Sequence, residues 1–240
     1  MSKRLTVDRL LSKLGIASRG TSQEWIRAGR VHINGRVVRD PATWVSWPND
    51  SVSIDDQPIQ DSIKRFFLFH KPKGVITTHS DEQGRKTIFD VLPADLGYLY
   101  AVGRLDQATS GLLLLTNDSA LSSFLTDPTH KVIRTYLVTV RGKFTEAQAT
   151  EAIVGVVDGG ERLRCHRVKV QKSSGRESHL EVVLIQGKNR EIRRLFKALG
   201  HEVTRLRRIQ YGPFKLEDLP SGAWREIPID DVRKALRLSG

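Results

Sequence analysis

The sequence is almost free of cysteine, with one residue, Cys165, among 240. A single thiol can form no disulfide within the chain and no zinc site by itself, which is typical of proteins in a reducing compartment. Apolar runs long enough to cross a membrane are missing, and the basic N-terminal stretch MSKRLTVDRLLSKLG lacks the apolar core of a signal peptide. We therefore expect a cytoplasmic protein without a membrane partner, in which Cys165 is packed or partly exposed.

Motifs for bound cofactors are also missing. The chain has neither a GxxxxGK(S/T) nor a GxGxxG sequence, so no glycine-rich loop is available to hold nucleotide phosphates. Its seven histidines show no metal-ligand spacing, and the pair Ser110 and Gly111 does not complete the GxSxG turn of a hydrolase. We expect no metal and no small-molecule cofactor.

Positive charge is what the chain has in excess. Lysine and arginine number 39 against 27 aspartate and glutamate, a formal net charge of +12 with an isoelectric point near 10.1. Such an excess favours a polyanionic partner. The basic residues do not line one long amphipathic helix opposite a tryptophan or phenylalanine face, as membrane-surface binding would require. Nucleic acid is therefore the preferred partner.

The first forty residues predict a helix, a second helix and a hairpin. Residues 5–14 place leucines at helical spacing after Thr6, with Gly15 as the stop, and the second helix is predicted for Thr21–Ala28. The pair Asn34–Gly35 between two β-branched runs indicates a type I′ turn, which needs positive φ at both positions.

The same segment concentrates positive charge. It holds nine bases and three acids, a local net charge of +6, whereas residues 41–62 hold four acids and no base. A phosphate-binding face explains this asymmetry better than a plain solvated face does. The residues that we expect to contact RNA here are Arg9, Lys13, Arg19, Arg27 and Arg30.

The stretch RLTVDRLLSKLGIASRGTSQEWIRAGRVHINGRVV resembles the small RNA-binding module named after ribosomal protein S-four. In such modules two helices and the following hairpin form a positive surface against structured RNA. Polar residues from Gln57 to Lys64, with Pro58 among them, indicate a linker. We expect the module over residues 1–60, a linker over 61–65 and a larger domain over 66–240.

The larger domain is predicted to be rich in strands. Two short amphipathic helices, Ala120–Thr126 and Thr145–Ile153, interrupt them. The resulting fold class is α+β, with a mixed, mainly antiparallel sheet. The segments with strand composition are RFFLFHKP, YLYAVGRL, GLLLLTND, RTYLVTVRG, LRCHRVKV and LEVVLIQG.

A helix is also predicted for GKNREIRRLFKALG, where apolar residues recur at i, i+3, i+4 and i+7 and Gly200 follows as the stop. Arg193 lies at the edge of that apolar stripe. A partly buried guanidinium is costly unless it meets an acid, and Asp106 in GRLDQATSGLLLLTND is a candidate partner. Such a pair at about 4 Å and an effective dielectric constant of about 20 attracts by about 4 kcal/mol before desolvation. A plain ion pair at the core edge, or an arginine that reaches water, explains the pattern as well.

A second basic cluster surrounds this helix. Between Lys188 and Arg208 there are eight bases and two acids, again a local charge of +6. Two separated clusters suggest a long RNA footprint whose binding weakens steeply with salt. The further residues expected at RNA phosphates are Arg190, Arg194 and the two lysines of HKPKG, Lys71 and Lys73.

Three segments together resemble the rRNA pseudouridine synthases of the ribosomal small-subunit pseudouridine synthase A family: GRLDQATSGLLLLTND, RTYLVTV and GKNREIRRLFKALGHEVTRLRRIQYGPFKL. The resemblance extends over residues 1 to about 228. It implies the pseudouridine synthase fold for the larger domain, which is then the catalytic domain. It also implies a cofactor-free isomerase that detaches the uracil of a uridine from its ribose, turns it and rejoins it through a ring carbon.

The resemblance assigns roles to four residues. Asp106 is implied to be the catalytic carboxylate, acting on the ribose as nucleophile or general base. Tyr136 is implied to stack on the uracil and Arg193 to pair with the acid, whereas on sequence alone Tyr136 is one more strand aromatic. Because the target nucleotide must be flipped out of its stack, Arg104 is expected to fill the gap or to hold a phosphate.

Two departures bear on the substrate. Glu191 and Leu195 stand where many relatives carry glutamine and methionine, and NREIRRL is closer to the large-subunit branch, synthase B. We therefore expect the partner to be large-subunit rRNA or a ribosomal-subunit assembly intermediate, with no need for more than a monomer. Small-subunit rRNA is the alternative substrate, and a non-catalytic assembly factor that binds rRNA is the alternative function.

Overall fold

The computed structural model describes residues 3–238 of the chain. Its helices are α1 (Val7–Lys13), α2 (Arg19–Arg27), α3 (Ser119–Thr126), α4 (Glu146–Val154), α5 (Glu191–Ala198) and α6 (Ile229–Leu236), with short 3-10 turns at Ala94–Leu96 and Pro128–His130. Its strands are β1 (Lys3–Thr6), β2 (Val31–Ile33), β3 (Arg36–Val38), β4 (Trp44–Trp47), β5 (Val52–Ile54), β6 (Gln57–Pro58), β7 (Phe66–Lys71), β8 (Tyr100–Ala101), β9 (Ser110–Thr116), β10 (Arg134–Arg141), β11 (Val156–Asp158), β12 (Glu161–Leu163), β13 (Arg167–Ser173), β14 (Glu177–Leu184), β15 (Val203–Tyr211), β16 (Phe214–Lys215) and β17 (Trp224–Ile227).

The N-terminal part has a hydrophobic core of its own, which runs from Leu5 to Ile59 and lies between α1, α2 and two small sheets. The buried carboxylate of Asp8 joins the two helices, because it accepts hydrogen bonds from Thr6, Arg19 and Gln23. Burial alone would raise the pKa of Asp8, but these three hydrogen bonds outweigh it and lower the pKa to about 2. The acid is therefore charged and satisfied at neutral pH.

The predicted order of helix, helix and hairpin is confirmed, with shifted boundaries. The second helix begins at Arg19, two residues early, because the hydroxyl of Ser18 accepts from the backbone N–H of Thr21 and caps it. The turn at Asn34–Gly35 has φ of 52° and 75°, as a type I′ turn requires. The polar stretch from Gln57 to Lys64 is not all linker, since Gln57 and Pro58 form β6 and pair with β5, while residues 61–65 contain no helix or strand.

The larger part is built on one nine-stranded sheet, ordered β13-β14-β10-β15-β9-β7-β17, with β8 and β16 added on β9 and β15. All its pairs are antiparallel except β9 with β15. The α+β class with a mixed, mainly antiparallel sheet is therefore confirmed. The leucine run of β9 is fully buried on both faces: Leu113 and Leu115 join one core, while Leu112 and Leu114 join the other. A strand covered on both faces reads as a continuous apolar run rather than an alternating one.

Two segments with strand composition are interrupted. The strand predicted in YLYAVGRL is reduced to two residues, because Gly103 takes a φ of 71° and turns the chain away. The segment LRCHRVKV divides into the end of β12 and the start of β13, with Cys165 buried between them. No helix among residues 3–238 is long and apolar enough to span a membrane.

The N-terminal part touches the larger part directly. The hydroxyl of Tyr100 donates to the carbonyl of Ser12 at 2.6 Å. Gly15, with φ of 71°, lies against Asn117, so that a Cβ at position 15 would be 2.7 Å from the Asn117 carbonyl oxygen. The residue that ends α1 is thus also a contact with the β9–α3 turn.

The close approach of β9 and β15 depends on Gly111. Its φ is 109°, a conformation that L side chains rarely adopt. A Cβ there would lie 2.6 Å from the backbone nitrogen and 2.9 Å from the carbonyl carbon of Arg208, and nearer still to its oxygen. Backbone atoms of a central strand cannot move aside, so this parallel pairing requires glycine.

Gly111→Ala is therefore expected to lower the free energy of unfolding by at least about 3 kcal/mol, from backbone strain and steric overlap together. Urea denaturation of wild type and variant measures the loss. Gly142→Ala is the matched control, because Gly142 has a φ of 81° but nothing within 4 Å of its Cβ position, and it should lose only about 1–2 kcal/mol. Equal losses in the two variants would contradict the packing argument.

Candidate active site

A cavity of about 380 Å³ opens between the β8–β9 loop, β10 and the N-terminal end of α5. We call it the central cavity. It brings together Asp106, Tyr136 and Arg193, which are far apart in the sequence, and Arg104 lies exposed on its lining. Its charged lining residues are six bases, Arg104, Arg134, Lys188, Arg190, Arg193 and Arg208, and two acids, Asp106 and Glu191. Basic side chains thus outnumber acidic ones in the lining, and the cavity carries net positive charge.

Asp106 lies in a turn that begins the approach to β9. The backbone N–H of Thr109 donates to the carbonyl of Asp106 at 2.9 Å and closes the turn. The ammonium group of Lys71 lies beneath it, donating to the carbonyls of Pro72, Asp106 and Thr109 at 3.1, 3.2 and 2.9 Å. Lys71 has no exposed surface. It therefore holds the turn from inside the protein.

Further hydrogen bonds join the turn to the segment after β7. The hydroxyl of Thr77 donates to the carbonyl of Leu105 at 2.9 Å, and the backbone N–H of Gly74 donates to the carbonyl of Gln107 at 2.8 Å. These bonds flank Asp106 on both sides, so its backbone is fixed while its carboxylate faces the cavity. The segment HKPKGVIT thereby acts as a support for the turn.

Burial strongly affects the ammonium of Lys71. Desolvation lowers the pKa of Lys71 to about 8, the nearby Asp106 opposes that change and Arg208 adds to it. The sequence prediction that Lys71 contacts RNA phosphate is therefore wrong, because its nitrogen is buried and engaged by three carbonyls. Lys73, two residues later, is exposed and remains a candidate for phosphate contact.

Tyr136 and Arg134 reach the cavity from the same face of β10, as the two-residue period of a strand dictates. Both side chains are buried. Arg134 donates to the hydroxyl of Tyr211 at 2.9 Å and to the carbonyl of Ile185 at 3.1 Å. Sequence reasoning missed Arg134, although its place two residues before Tyr136 on a strand was a usable signal.

Arg208 is the second buried arginine that sequence reasoning counted only as part of a basic cluster. It has 2% exposure, donates from Nε to the carbonyl of Leu112 at 2.7 Å, and lies over the Tyr211 ring at 4.9 Å. No carboxylate pairs with it among residues 3–238. One carbonyl oxygen and an aromatic face thus replace the usual acid partner, and Nη2 is buried with no hydrogen-bond partner among the described residues.

The predicted ion pair between Arg193 and Asp106 is wrong as a direct contact. Arg193 donates to the carbonyls of Val203 and Ala108, at 3.0 and 3.2 Å. It is half-buried, as its place at the edge of the stripe predicts, and burial lowers its pKa, with Arg190 adding to that effect and Asp106 opposing it. The two groups are neighbours that interact through space.

Arg190 takes the direct position instead, with Nη1 at 3.5 Å from Oδ2 of Asp106. The helical spacing could not predict the direction of the Arg190 side chain, because α5 begins at Glu191. Arg190 precedes the helix and has a φ of 48°. A residue in that conformation points away from the direction that the helix would give it. Both side chains of the pair are partly exposed, at 52% and 36%.

Other predicted RNA contacts separate into engaged and exposed side chains. Arg194 is engaged, because it bonds Asp158 at 2.6 Å and Glu161 at 2.7 Å, so the prediction of a free phosphate contact is wrong. Arg19 and Arg30 also bond acids, Asp8 and Asp55. Within residues 3–238, the exposed predicted residues without an acid partner are Arg9, Lys13, Arg27, Lys73 and Arg104.

Glu191 and Cys165 form a buried polar region behind α5. Glu191 caps the turn by accepting from the backbone N–H of Lys188 at 3.1 Å, and burial raises its pKa. Desolvation raises the pKa of Cys165 to about 12, so the thiol is unreactive at neutral pH. No group of His, Cys, Asp and Glu side chains in the described part of the chain could hold a metal ion.

Comparison with known proteins finds two family models that match. RNA pseudouridylate synthase matches residues 65–198 and the S4 domain matches residues 5–52. Ribosomal large subunit pseudouridine synthase B of Vibrio cholerae is 37% identical, over 97% of this chain and 74% of that protein. The protein of the same name from Bacillus subtilis is 30% identical, over 97% and 96%. A solved structure described as a pseudouridylate synthase superposes with a TM-score of 0.66 at 28% identity, covering 96% of this chain and 99% of the other.

The buried ammonium predicts a specific pH dependence. Because the pKa of Lys71 is about 8 in the folded chain, against 10.5 for an exposed lysine, the unfolded chain binds more protons between these values. The contribution of Lys71 to the free energy of unfolding therefore rises as the pH rises over that window. The total increase is about 3 kcal/mol, at about 1.4 kcal/mol per pH unit. Subtracting the unfolding free energy of Lys71→Met from that of wild type, between pH 7 and 10.5, isolates the effect. Lys73→Met is the exposed control, for which the difference stays flat; a flat difference for Lys71→Met as well would refute the assignment.

Proposed function

Because the chain belongs to the RNA pseudouridylate synthase family, whose members are isomerases, we propose that it converts a specific uridine of large-subunit rRNA into pseudouridine, with Asp106 as the catalytic carboxylate. The observation that supports this most is the position of Asp106, fixed by its backbone in a cavity lined by Tyr136 and arginines. The names of the relatives from Vibrio cholerae and Bacillus subtilis support the large subunit as the source of the substrate.

In the proposed reaction the bond from the ribose C1′ to N1 of the uracil breaks and a bond from C1′ to C5 forms. N1 gains a proton and C5 loses one, so no net group enters or leaves. Asp106 acts on the ribose, as nucleophile or general base, and the turn held by Lys71 keeps it in place. Tyr136 offers the face on which the uracil stacks.

The arginines around the cavity bind and position the RNA in this proposal. Extruding a uridine from its stack costs a few kcal/mol, which phosphate contacts and stacking offset. Arg104 is exposed at the cavity and fills the vacated stack or holds a phosphate. Arg190 and Arg193 stabilise the charge of the Asp106 carboxylate. Arg190 does so by direct contact and Arg193 by an electrostatic interaction over a longer distance.

In the proposed domain organisation, one part of the chain binds RNA and the other carries out the reaction. The RNA-binding module extends over residues 1–60, the linker over 61–65 and the catalytic domain over 66–240. Exposed bases on the module grip rRNA, or a precursor of the ribosomal subunit, while the central cavity receives the uridine. The protein then works as a monomer in ribosome biogenesis in the cytoplasm.

Replacing the acid tests the proposed chemistry. Asp106→Asn keeps the shape of the side chain but removes its charge, and should slow tritium release from C5-labelled uridine in large-subunit rRNA transcripts by at least about 100-fold. Asp95→Asn, an exposed acid outside the cavity, should leave the rate unchanged. If wild type binds rRNA of both subunits but releases tritium from neither, the chain is an assembly factor instead. Release from small-subunit transcripts alone would correct the substrate.

Removing single charges tests the module. Arg9→Gln, Lys13→Gln and Arg27→Gln should each reduce the slope of log Kobs against log salt concentration by about 0.7–0.9, the value for one lost phosphate contact. Arg30→Gln should change it less, because Arg30 is already paired with Asp55. Filter binding of a large-subunit rRNA transcript across a salt series gives the slopes. Unchanged slopes in the first three variants would rule out the proposed RNA-binding face.

A further inference from the structure

A second cavity, of about 320 Å³, lies beside the central one. We call it the side cavity. The two share three lining residues, Pro128, Ile185 and Gln186, so they are separated by a single layer of residues. A ligand that enters one cavity therefore passes directly beside the other.

Three bases line the side cavity, Lys131, Arg164 and His166, and its lining contains no acid. The chain places them there by local geometry. In the link between β12 and β13, Cys165 is buried and its neighbours Arg164 and His166 are exposed, and Lys131 ends a 3-10 turn with a φ of 49°. All three are exposed.

These three bases differ from the basic residues around them. Within residues 3–238, none of the three makes an ion pair or a side-chain hydrogen bond. Nearby, Arg162 donates to the carbonyl of Val154, and Arg167 bonds Glu181. Lys188 and Arg194 both bond Glu161. No acid thus offsets the charges of Lys131 and Arg164, and uncompensated positive charge at a cavity attracts an anion.

The rest of the lining is suited to a nucleobase. Ile153 is 40% exposed, and Ile185 and Pro128 complete an apolar wall. An apolar wall beside cationic side chains matches one nucleotide, with its nucleobase against the wall and its phosphate against the basic side chains.

We propose that the side cavity binds the nucleotide next to the target uridine in the same RNA strand. This inference rests on the proposed function, since it takes the central cavity as the place of the uridine. Lys131, Arg164 and His166 hold the phosphate of the neighbouring nucleotide, while its base lies against Ile153 and Ile185. Two adjacent nucleotides then leave the RNA stack together, one on each side of the shared wall.

The charge part of the proposal is tested with the double variant Lys131→Gln, Arg164→Gln. Its binding to a large-subunit rRNA transcript should show a salt slope smaller by about 1.4, from two contacts at about 0.7 each for a single strand. The matched control is Lys169→Gln, Arg176→Gln, which removes the same charge from exposed positions outside both cavities. Equal slopes in the two double variants would overturn the proposal.

The base part is tested with Ile153→Trp, which fills the side cavity without changing charge and lies on the exposed side of α4. It should weaken binding of the same transcript about tenfold at all salt concentrations, with the slope unchanged. Val157→Trp, at an exposed position outside the cavity, is the control. Unweakened binding by Ile153→Trp would exclude a base on this wall.

These measurements separate the two proposals. Both use equilibrium binding, so they remain readable if no tritium is released and the proposed function fails. If wild type releases tritium and the side-cavity variants bind and react like their controls, the function stands and the second nucleotide site is wrong. If RNA binding is normal in every variant, the uncompensated charge serves a partner other than RNA and the proposal falls.

Discussion

The buried ammonium of Lys71 is the contact on which the site depends. Its three carbonyl acceptors tie the end of β7 to both ends of the turn that carries Asp106. The same lysine is paired across the sheet with Gly111, where β15 approaches closely enough to exclude any side chain. Two constraints therefore act on the turn: the Lys71 ammonium lies beneath it, and β15 packs against Gly111 just after it. Removing either loosens the backbone of Asp106 without touching its carboxylate.

Positive charge in this chain serves two different purposes, and exposure separates them. The buried cations Lys71, Arg134 and Arg208 donate to carbonyl oxygens, and both arginines also lie over the Tyr211 ring, so their charge is used inside the protein at a cost in desolvation. Exposed bases without acid partners, such as Arg9 and Arg164, keep their charge available to phosphate. The net charge of +12 alone does not distinguish these groups. Only the position of each side chain shows which of them can contribute to the salt dependence of RNA binding.

Local patterns predicted the parts of the fold that depend on neighbours in sequence. The Asn34–Gly35 turn, the stop at Gly200 and the half-buried edge position of Arg193 follow from dihedral preference and helical period, whereas Asp106 was singled out by the family resemblance of its motif. What could not be predicted depends on distant contacts. The strand β15 was not predicted, because its sequence is rich in arginine and its pairing partners lie about 70 and 100 residues away in the chain. Arg190 could not be placed because a helical wheel holds only inside the helix, and Lys71 looked like a phosphate ligand because nothing in HKPKG reveals burial.

The two proposals complete each other on one physical point. An isomerisation that adds and removes no group requires the uracil to turn while its ribose stays in reach of the carboxylate. A turn fixed by Lys71 holds the protein side of that contact still, but a ribose bound only through its own base would move when the base moves. A phosphate held in the side cavity anchors the backbone independently of the uracil. With the neighbouring nucleotide fixed beyond the wall of Pro128 and Ile185, the base is the part of the nucleotide left free to rotate.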